Sequence, residues 1–331
     1  MSSNLVTLSI CIPTFNRLVY LKEMLEILLP QAEALGVEIC VSDNGSTDGT
    51  AQYLIDVSQC YGCVKFHVNE TNIGMDLNII RAMQMAEGKY ILPIGDDEVL
   101  PDHSLATIIK TIDDYPDLDA LFLDGWYTNA ELIKTKKLLP DSLNGRFFSD
   151  PIKVLDELRT PQALGCFVIN KDCLSSDWYK KYLGTYHAFC GIIWDYLIFK
   201  HKKDGQCSVV CLSVPVVLLR IIEKTWKTEF LKIMLHDVPT FISILPNEYT
   251  EIKNKIIKKY CNERSKLFFL VGYRSKYGLS NSMIEKYMKH FSEFQIVKAR
   301  LVCLLPIWLA TLIQDTKQFI KSLFFASKST I

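Results

Sequence analysis

The sequence predicts an α/β protein in which a mostly parallel sheet with helices on both faces is followed by a C-terminal helical region. Over residues 1–125, short apolar runs rich in β-forming residues alternate with segments of helical periodicity. Such alternation is typical of a sheet that buries both faces under helices. Residues 126–225 are less regular, with aromatics, prolines and short strand-like pieces, and residues 226–331 turn helical and more basic. We therefore divide the chain into these three parts.

The first part contains five predicted strands and four predicted helices. Each strand is an unbroken run of apolar and β-branched residues, which indicates burial on both faces. Each helix has apolar residues at helical spacing, and Gly88 closes the third. The strands are Leu8–Ile12, Val37–Val41, Val64–Val68, Tyr90–Ile94 and Ala120–Leu123. The helices are Leu18–Leu29, one from about Asp48, Met75–Ala86 and Ser104–Tyr115.

Composition excludes several classes of protein. Of the 331 residues, 49% are hydrophobic and 22% charged, which indicates a globular chain. Lys+Arg and Asp+Glu balance at 37 each, so we expect no nucleic-acid partner. The eleven cysteines show no zinc-site spacing beyond the lone pair Cys60 and Cys63, and reduced thiols are expected. With no secretory signal at the N-terminus, we expect a cytoplasmic protein.

Polar segments follow four of the predicted strands. They are PTFNR (Pro13–Arg17), SDNGSTDGT (Ser42–Thr50), NETNIG (Asn69–Gly74) and GDDE (Gly95–Glu98). In open α/β sheets, ligands bind at the carboxyl ends of the strands. The fingerprints of glycine-rich nucleotide loops are missing from the sequence, so carboxylates and a metal ion would have to hold a nucleotide here.

The acids in the second and fourth segments have two interpretations each. Asp96, Asp97 and Glu98 form either a solvated turn or a site where Asp97, assisted by a neighbour, holds a divalent cation such as Mg²⁺ or Mn²⁺. Ser46, Thr47 and Asp48 suit a helix start. Asp43 is not needed for capping, and its carboxylate is free to accept a bond from a ribose hydroxyl or a base amide.

Taken together, SICIPTFNR, VSDNGSTDGT, NIGMDLNIIRAMQMAEGKYILPIGDDEVLP and a later Trp-Asp pair resemble the family 2 glycosyltransferases of the GT-A fold. The resemblance is dense over residues 5–125 and thinner to about 225. It implies that Asp97 binds the metal and that Asp195 is the catalytic base. The resemblance further implies contacts with a nucleotide-sugar from Pro13, Thr14, Asn16, Arg17, Asp43, Asn72 and Asp96.

The sequence departs from the family pattern at three places. Gly95 stands where the first acid of the metal motif is usual, and Trp194 replaces the first acid of the late Glu-Asp pair. Ile222 stands where a histidine is common, which leaves Arg220 and Lys224 as candidates to bind the diphosphate. Trp194, Tyr186 and Trp126 are candidates to stack on acceptor sugars, and burial in the core is the alternative for each.

Within the family, the sequence most resembles O-antigen transferases, and among them the abequosyltransferases. This resemblance implies transfer of abequose or another 3,6-dideoxyhexose from a CDP-sugar to a lipid-linked glycan in lipopolysaccharide biosynthesis. Two alternatives are a nucleotidyltransferase that makes nucleotide-sugars, and a catalytically inactive glycan-binding relative. The nucleotidyltransferase would need a glycine-rich loop with an arginine near the N-terminus, which PTFNR lacks.

The C-terminal residues predict contact with the cytoplasmic face of the inner membrane. From Lys298 onward, five basic residues stand against one acid, and Leu301–Gln314 is uncharged. Fourteen residues give about 21 Å of helix, short of a ~30 Å hydrocarbon core, and Pro306 would kink the helix or start it anew. Apolar surface beside lysines suits a helix in the interface of an anionic leaflet. Packing on the catalytic domain or in a homodimer is the alternative.

Overall fold

We analysed the protein as a computed structural model. It describes residues 6–159, 163–221 and 227–326, and of Lys227 and residues 317–326 the backbone alone. The chain forms two compact units. The first comprises residues 1–222 together with Leu245–Tyr249, and the second comprises residues 223–244 and 250–331. The first unit thus includes a short segment from beyond residue 225, and the predicted division at 125 and 225 remains a prediction.

The described part of the first unit is built on one sheet of nine strands. In chain order these are β1 (Leu8–Thr14), β2 (Glu38–Asp43), β3 (Val64–Val68), β4 (Tyr90–Pro93), β5 (Ala120–Thr128), β6 (Lys134–Lys137), β7 (Phe147–Phe148), β8 (Phe167–Asn170) and β9 (Val209–Arg220). Their spatial order is β3-β2-β1-β4-β8-β5-β9-β7, with β6 paired to β5. Every residue of β2 and β4 is buried, as the unbroken apolar runs predict.

Six α-helices accompany this sheet. They are α1 (Leu18–Leu35), α2 (Thr50–Cys60), α3 (Met75–Met85), α4 (Ser104–Asp114), α5 (Pro151–Leu158) and α6 (Ala188–Asp204). The first four begin and end within a few residues of the predicted limits, except that α1 continues to Leu35. Gly36, in the left-handed conformation at φ 65°, ends α1.

The sheet is mixed, and parallel pairing dominates only its N-terminal half. β1 pairs in parallel with β2 and with β4, and β2 pairs in parallel with β3. β8 then pairs antiparallel with both β4 and β5. The irregular composition after residue 125 concealed this change, because short antiparallel strands lack the long apolar runs of buried parallel ones.

The strand order reverses next to β1, and this reversal locates the crevice. β2 and β3 lie on one side of β1, whereas β4 lies on the other. The chain leaves the carboxyl end of β1 in one direction along the sheet and the carboxyl end of β4 in the other. Open α/β sheets bind ligands in the crevice between two such strand ends. The segments Pro13–Arg17 and Gly95–Glu98 therefore meet at one edge of the sheet.

The described part of the second unit is helical. It contains α7 (Phe230–Lys232), a π-helical stretch (Ile233–Asp237), α8 (Val238–Ser243), α9 (Thr250–Arg264), α10 (Leu267–Tyr277), α11 (Asn281–Tyr287), α12 (Glu293–Cys303) and α13 (Ile307–Ala326). Its core gathers buried residues of several of these helices, among them Leu235, Leu270, Ile284, Ala299, Val302 and Ala310.

The uncharged segment Leu301–Gln314 is divided at Pro306. It forms the end of α12 and the start of α13, and the two helices meet at an angle of 101°. In the described residues, no single helix is long and apolar enough to cross a bilayer, although this bent pair passes by length and composition. Because Ala299, Val302 and Ala310 belong to the core of the second unit, the segment is not a detachable tail.

Candidate active site

A buried ionic cluster joins the segments that follow β1 and β4. The Thr14 hydroxyl donates to Asp96 Oδ2 at 2.7 Å. The Arg17 guanidinium lies 3.3 Å from Asp96 Oδ1 and 2.8 Å from Asp97 Oδ2. The two acids are only 3% and 5% exposed. A guanidinium therefore occupies the position between the acids that the sequence predicted for a cation.

Burial and charge act against each other in this cluster. Burial raises the pKa of Asp96 to about 7, and the Arg17 guanidinium opposes the shift. Burial disfavours the charge of Arg17, but the two carboxylates outweigh it and raise the arginine's pKa. Although Asp97 Oδ2 lies within ion-pair distance of Arg17, it makes no well-oriented hydrogen bond in the described structure. This oxygen is thus a buried acceptor that a metal ion would satisfy.

Glu98, the third acid of this segment, and Arg220 lie at the same edge of the sheet. Glu98 Oε2 accepts a hydrogen bond from the backbone N–H of Arg220 at 2.7 Å and so anchors β9, and its assistance to a metal remains a prediction. The Arg220 guanidinium donates twice to Glu23, at 2.9 and 2.6 Å. Its Nε is buried and has no partner among the described residues. Arg220 is therefore held in place with one donor to spare, and its role at a diphosphate remains a prediction.

The segment after β2 presents a second buried carboxylate. Asp43 Oδ1 accepts from the backbone and the hydroxyl of Ser46. Asp43 Oδ2 is buried and has no hydrogen-bond partner among the described residues. Because an unsatisfied buried acceptor is costly, this oxygen is suited to an N–H or O–H donor of a ligand.

Asn16 and Asn72 build the loops beside Asp43. Asn16, at φ +51°, accepts from Thr47 N through its side chain at 2.8 Å and donates through its backbone to Ser46 at 2.7 Å. Asn72 accepts from the Asn44 side chain at 2.9 Å. Pro13 pairs with Ser42 in the β1–β2 register. All three have structural contacts here, and their contacts with a nucleotide remain predictions.

Asp195 lies on α6 and is bound by the segment that precedes this helix. Its carboxylate accepts from Lys181 Nζ at 2.8 Å and from the Tyr182 hydroxyl. Its side chain is 11% exposed, whereas that of Lys181 is 42% exposed. A carboxylate held at the edge of solvent by one buried and one exposed donor is suited to receive a proton. The role of base remains a prediction.

Gly191 explains how Tyr182 reaches Asp195. A Cβ at residue 191 would lie only 2.2 Å from the Tyr182 ring. The ring therefore packs directly on the backbone of α6, one turn before Asp195. Burial, the nearby Asp195 carboxylate and the hydrogen bond to it raise the pKa of the Tyr182 hydroxyl, which keeps it a donor.

Asp76 is a buried acid whose contacts the sequence analysis missed. Its buried carboxylate accepts three backbone hydrogen bonds, from Gly184 at 2.8 Å, Tyr186 at 3.2 Å and Ala188 at 3.1 Å. Burial raises its pKa, and the three N–H groups oppose the shift. In the sequence Asp76 is simply an acid in the first turn of a helix. Nothing there pointed to partners more than 100 residues away.

The three aromatic candidates have different environments. Trp194 is 1% exposed and packs against Phe122 and Tyr249. The expectation that it stacks on an acceptor sugar is therefore wrong, because the indole is part of the core. Trp126 is half-buried, with Lys134 Nζ 5.5 Å from its ring centroid. Tyr186 is half-buried, and its acceptor contact remains a prediction.

The remaining candidates are the metal ion and Lys224. No group of three His, Cys, Asp or Glu residues that could hold a metal by itself occurs among the described residues. Mg²⁺ often takes only one or two carboxylates and completes its shell with phosphate oxygens and water. Asp97, with its unsatisfied oxygen, fits that arrangement. Lys224 lies outside the described residues.

The fold and these motifs agree with comparisons to known proteins. The profile of the family described as Glycosyl transferase family 2 matches residues 9–174, half of the chain. The chain belongs to this family. The match includes β1 to β4, the ionic cluster, Asp43 and Asp76, and it ends before Asp195.

Two curated relatives are similar over shorter stretches. Abequosyltransferase RfbV of Salmonella typhimurium is 38% identical over 132 residues, which is 39% of this chain and 39% of that protein. A Campylobacter jejuni protein named GalNAc(5)-diNAcBac-PP-undecaprenol beta-1,3-glucosyltransferase is 28% identical over 31% of this chain and 33% of its own. The similarity thus spans between a third and two fifths of the length of these relatives.

Two solved structures share the fold over most of their length. S. aureus TarS 1-349 in complex with UDP-GlcNAc covers 95% of this chain and 92% of its own, with a TM-score of 0.58 and 16% identity. Mannosyltransferase PcManGT from Pyrobaculum calidifontis, in complex with GDP-Man and Mn²⁺, covers 91% and 88%, with a TM-score of 0.51 and 13% identity. At such identities the likeness concerns the fold, and it confirms the predicted GT-A architecture.

Proposed function

We propose that the protein transfers a sugar from a nucleotide-sugar to a hydroxyl group of a lipid-linked glycan. The observation that supports this most is the set of buried carboxylates at the carboxyl ends of β1, β2 and β4. Asp43 Oδ2 lacks a hydrogen-bond partner among the described residues, and Asp97 Oδ2 is held there by the Arg17 guanidinium at 2.8 Å. Buried unsatisfied carboxylates are costly for a fold and are expected where a ligand completes them.

On the donor side, each of these oxygens has a distinct task. Asp43 Oδ2 accepts a hydrogen bond from the nucleoside, and Asp97 Oδ2 would hold Mg²⁺ or Mn²⁺. When bound, the cation neutralises charge that develops on the leaving diphosphate. Arg17 must then leave Asp97, and Arg220 has a spare Nε–H for a phosphate oxygen. Thr14 keeps Asp96 oriented through its hydroxyl.

On the acceptor side, Asp195 receives the proton of the acceptor hydroxyl. That oxygen forms a bond with the anomeric carbon while the bond from this carbon to the diphosphate oxygen breaks, and the nucleoside diphosphate leaves. Tyr182 and Lys181 orient the carboxylate through their two hydrogen bonds. Lys181 is the more exposed of the two and is free to move as the acceptor arrives. Base catalysis of this kind contributes about 10²–10⁴-fold to rate.

For the donor we propose a CDP-sugar carrying abequose or another 3,6-dideoxyhexose. The similarity to the Salmonella abequosyltransferase, 38% identical over 132 residues, supports this choice. The name of the Campylobacter relative, which includes undecaprenol, supports a lipid-linked acceptor. A screen of the purified protein against CDP-, UDP-, GDP- and dTDP-sugars, with and without Mn²⁺, tests the proposal. Transfer from none of them contradicts it.

The same screen separates the two alternatives. A nucleotidyltransferase would form nucleotide-sugar from a sugar phosphate and a nucleoside triphosphate, and would release diphosphate. An inactive glycan-binding relative would bind oligosaccharide without consuming any donor. Donor consumption that depends on acceptor is the result expected of the proposed transferase.

We further propose that the second unit binds the cytoplasmic face of the inner membrane. Large apolar side chains stand exposed on α12, at the break after it and on α13, and we call them the apolar corner. They are Phe294, Val297, Leu301, Leu304, Ile307, Trp308, Leu312 and Ile313, between 44% and 75% exposed. A patch of this kind marks an interaction surface.

Lipid is the occupant that the surroundings of the apolar corner favour. Lys298 Nζ lies 5.1 Å from the Phe294 ring centroid, so a positive charge stands beside the apolar surface. In the sequence, Lys317, Lys321 and Lys328 follow with further apolar residues between them. A helix pair bent by 101°, with Lys298 and the exposed Trp308 on it, suits an anionic interface. A homodimer through this surface is the alternative outcome.

A further inference from the structure

Asp76 joins two distant segments of the first unit. It stands in the first turn of α3, and its side chain reaches three backbone N–H groups between Gly184 and Ala188. Only one of the three, that of Ala188, belongs to a helix, so capping α6 accounts for a third of the contact. The other two fix the loop before the helix. The carboxylate is 8% exposed, which makes these bonds its main source of stabilisation.

The loop that Asp76 holds has a strained backbone. Tyr186 adopts φ +62°, in the left-handed region, which is unfavourable for a residue with a Cβ. Such conformations persist only where the surroundings determine them, and they occur mainly at functional sites. The His187 side chain, at the N-cap of α6, makes no capping hydrogen bond. The loop has local hydrogen bonds, among them that from His187 N to Thr185 Oγ1 at 3.3 Å, and Asp76 adds three from another helix.

On its other side, Asp76 is tied to the segment beside Asp43. The residues just before α3 are held by Asn44, whose side chain donates to Asn72 at 2.9 Å and accepts from the backbone N–H of Ile73 at 2.9 Å. Asn44 directly follows Asp43. A short path of covalent and hydrogen bonds thus connects the carboxylate proposed for the nucleoside with the loop that precedes the helix of Asp195.

We infer that Asp76 is a positioning residue that sets the place of Tyr186 and of the start of α6, and through them the acceptor side of the reaction. The inference rests on the proposed function. Asp76 itself touches neither substrate nor the reacting atoms in this account. Its three hydrogen bonds hold Tyr186 in a conformation the chain would otherwise leave, and they fix the helix on which Asp195 lies two turns further on. Loss of this contact should impair acceptor use and spare donor binding.

The first test needs no substrate. In Asp76→Asn the amide keeps one acceptor oxygen and turns an NH₂ group toward the backbone donors, so at least one bond is lost. Amide hydrogen exchange in peptides spanning residues 183–190 should accelerate about tenfold or more. Local opening of the loop then has fewer hydrogen bonds to break, so it costs less free energy. The matched control is Asp150→Ala, which removes a purely local cap of α5, 2.9 Å from Ile152 N. It should accelerate exchange near Ile152 only.

The second test separates positioning from stability. With wild type and both variants, we would measure CDP binding by calorimetry in Mn²⁺, and the kcat and KM for the acceptor. Asp76→Asn should bind CDP within about threefold of wild type and lose about tenfold or more in kcat/KM for the acceptor, as expected for a displaced reacting group. Asp150→Ala should lower the melting temperature comparably and leave both values unchanged.

The outcomes are distinguishable. Unchanged exchange at residues 183–190 in Asp76→Asn overturns the inference, and so does an equal loss of transfer in both variants. A wild type that transfers no sugar overturns the proposed function instead, whatever the exchange shows. If Asp76→Asn does not fold, Asp76→Glu takes its place, because it keeps the charge and moves the acceptor oxygens. A raised acceptor KM supports the inference, and a wild-type KM together with faster loop exchange contradicts it.

Discussion

The two units of this protein depart from ordinary burial in opposite ways. The first unit buries acids: Asp43, Asp76, Asp96, Asp97 and Glu98 are all less than 9% exposed. The second unit exposes apolar side chains, and in the apolar corner Leu304 and Trp308 reach 75% and 69%. Charged residues are rarely buried unless paired, and contiguous apolar surface is rarely left in water.

This difference in burial indicates which kind of partner suits each unit. Buried carboxylates with unsatisfied oxygens at strand ends suit a small, polar, cationic or hydrogen-bonding ligand. An exposed apolar surface with Lys298 beside it suits an extended partner that is apolar and anionic. A transferase that takes a soluble donor and a lipid-linked acceptor needs both. The substitutions predicted below alter each of these two surfaces in turn.

Asp97 should have the largest effect. Asp97→Ala removes the buried oxygen proposed for the metal, so transfer should be abolished and Mn²⁺-dependent CDP binding should weaken strongly. The fold should persist, because Arg17 keeps Asp96 as a partner. Steady-state transfer, calorimetry and thermal melting check this. The control is Asp102→Ala, an exposed acid on the same loop. Near-normal turnover in Asp97→Ala, or activity that survives exhaustive chelation, would show that the metal assignment is wrong.

Asp195 should have the next largest effect. Asp195→Asn keeps the shape of the side chain but cannot accept a proton, so turnover should fall by roughly 10²-fold or more. Donor affinity should stay at the wild-type value. Asp204→Asn, an exposed acid at the end of the same helix, controls for a change of helix charge. If donor binding and turnover fall together, Asp195 is a binding or structural residue.

Leu304 and Trp308 test the apolar corner. Replacing both by Ser should reduce binding to anionic phosphatidylglycerol vesicles about tenfold or more, since two large apolar side chains no longer enter the interface. Being exposed, they should change stability little. Ile133→Ser, which alters a residue of the first unit that is 62% exposed, is the matched control. Co-sedimentation at low and high salt is the measurement. A wild type that stays in the supernatant, or dimerises through this surface, contradicts the membrane proposal.

This double substitution replaces a simpler experiment. From the sequence, deletion of residues 298–331 should leave a soluble enzyme with poor activity on membrane-borne acceptor. Ala299, Val302 and Ala310 lie in the core of the second unit, so the deletion should instead unfold that unit. Surface substitutions remove the proposed lipid contacts and leave the core intact.

Arg17 should show the smallest effect. Arg17→Gln frees Asp97 from its guanidinium, so Mn²⁺ alone should raise the melting temperature of the variant by several degrees more than that of wild type. Without Mn²⁺ the variant should be less stable, because two buried carboxylates lose their common partner. The double variant Arg17→Gln/Asp97→Ala should show no Mn²⁺ effect. Equal Mn²⁺ shifts in wild type and Arg17→Gln would mean that Arg17 does not compete with the metal.

Much of the site could be predicted because it follows strands. Asp43, Asp96 and Asp97 come directly after apolar runs, and the carboxyl ends of neighbouring strands share one edge of a sheet. Arg17 was found as a site residue, yet its pairing with both acids was not, because side-chain partners depend on how the loops meet. Trp194 was misassigned, since a tryptophan beside an acid looks the same in sequence whether it faces the core or a ligand.

By itself, the sequence determined the order of strands and helices in the N-terminal half, the acids at their ends and the break at Pro306. These are local properties: strand and helix periodicity, and the missing N–H of proline, act within a few residues. The tertiary structure alone decided that the sheet is mixed, that a guanidinium lies between Asp96 and Asp97, and that Asp76 holds a loop more than 100 residues away. Such contacts exist only once distant segments are brought together, because a buried charge takes whichever partner the fold places within reach.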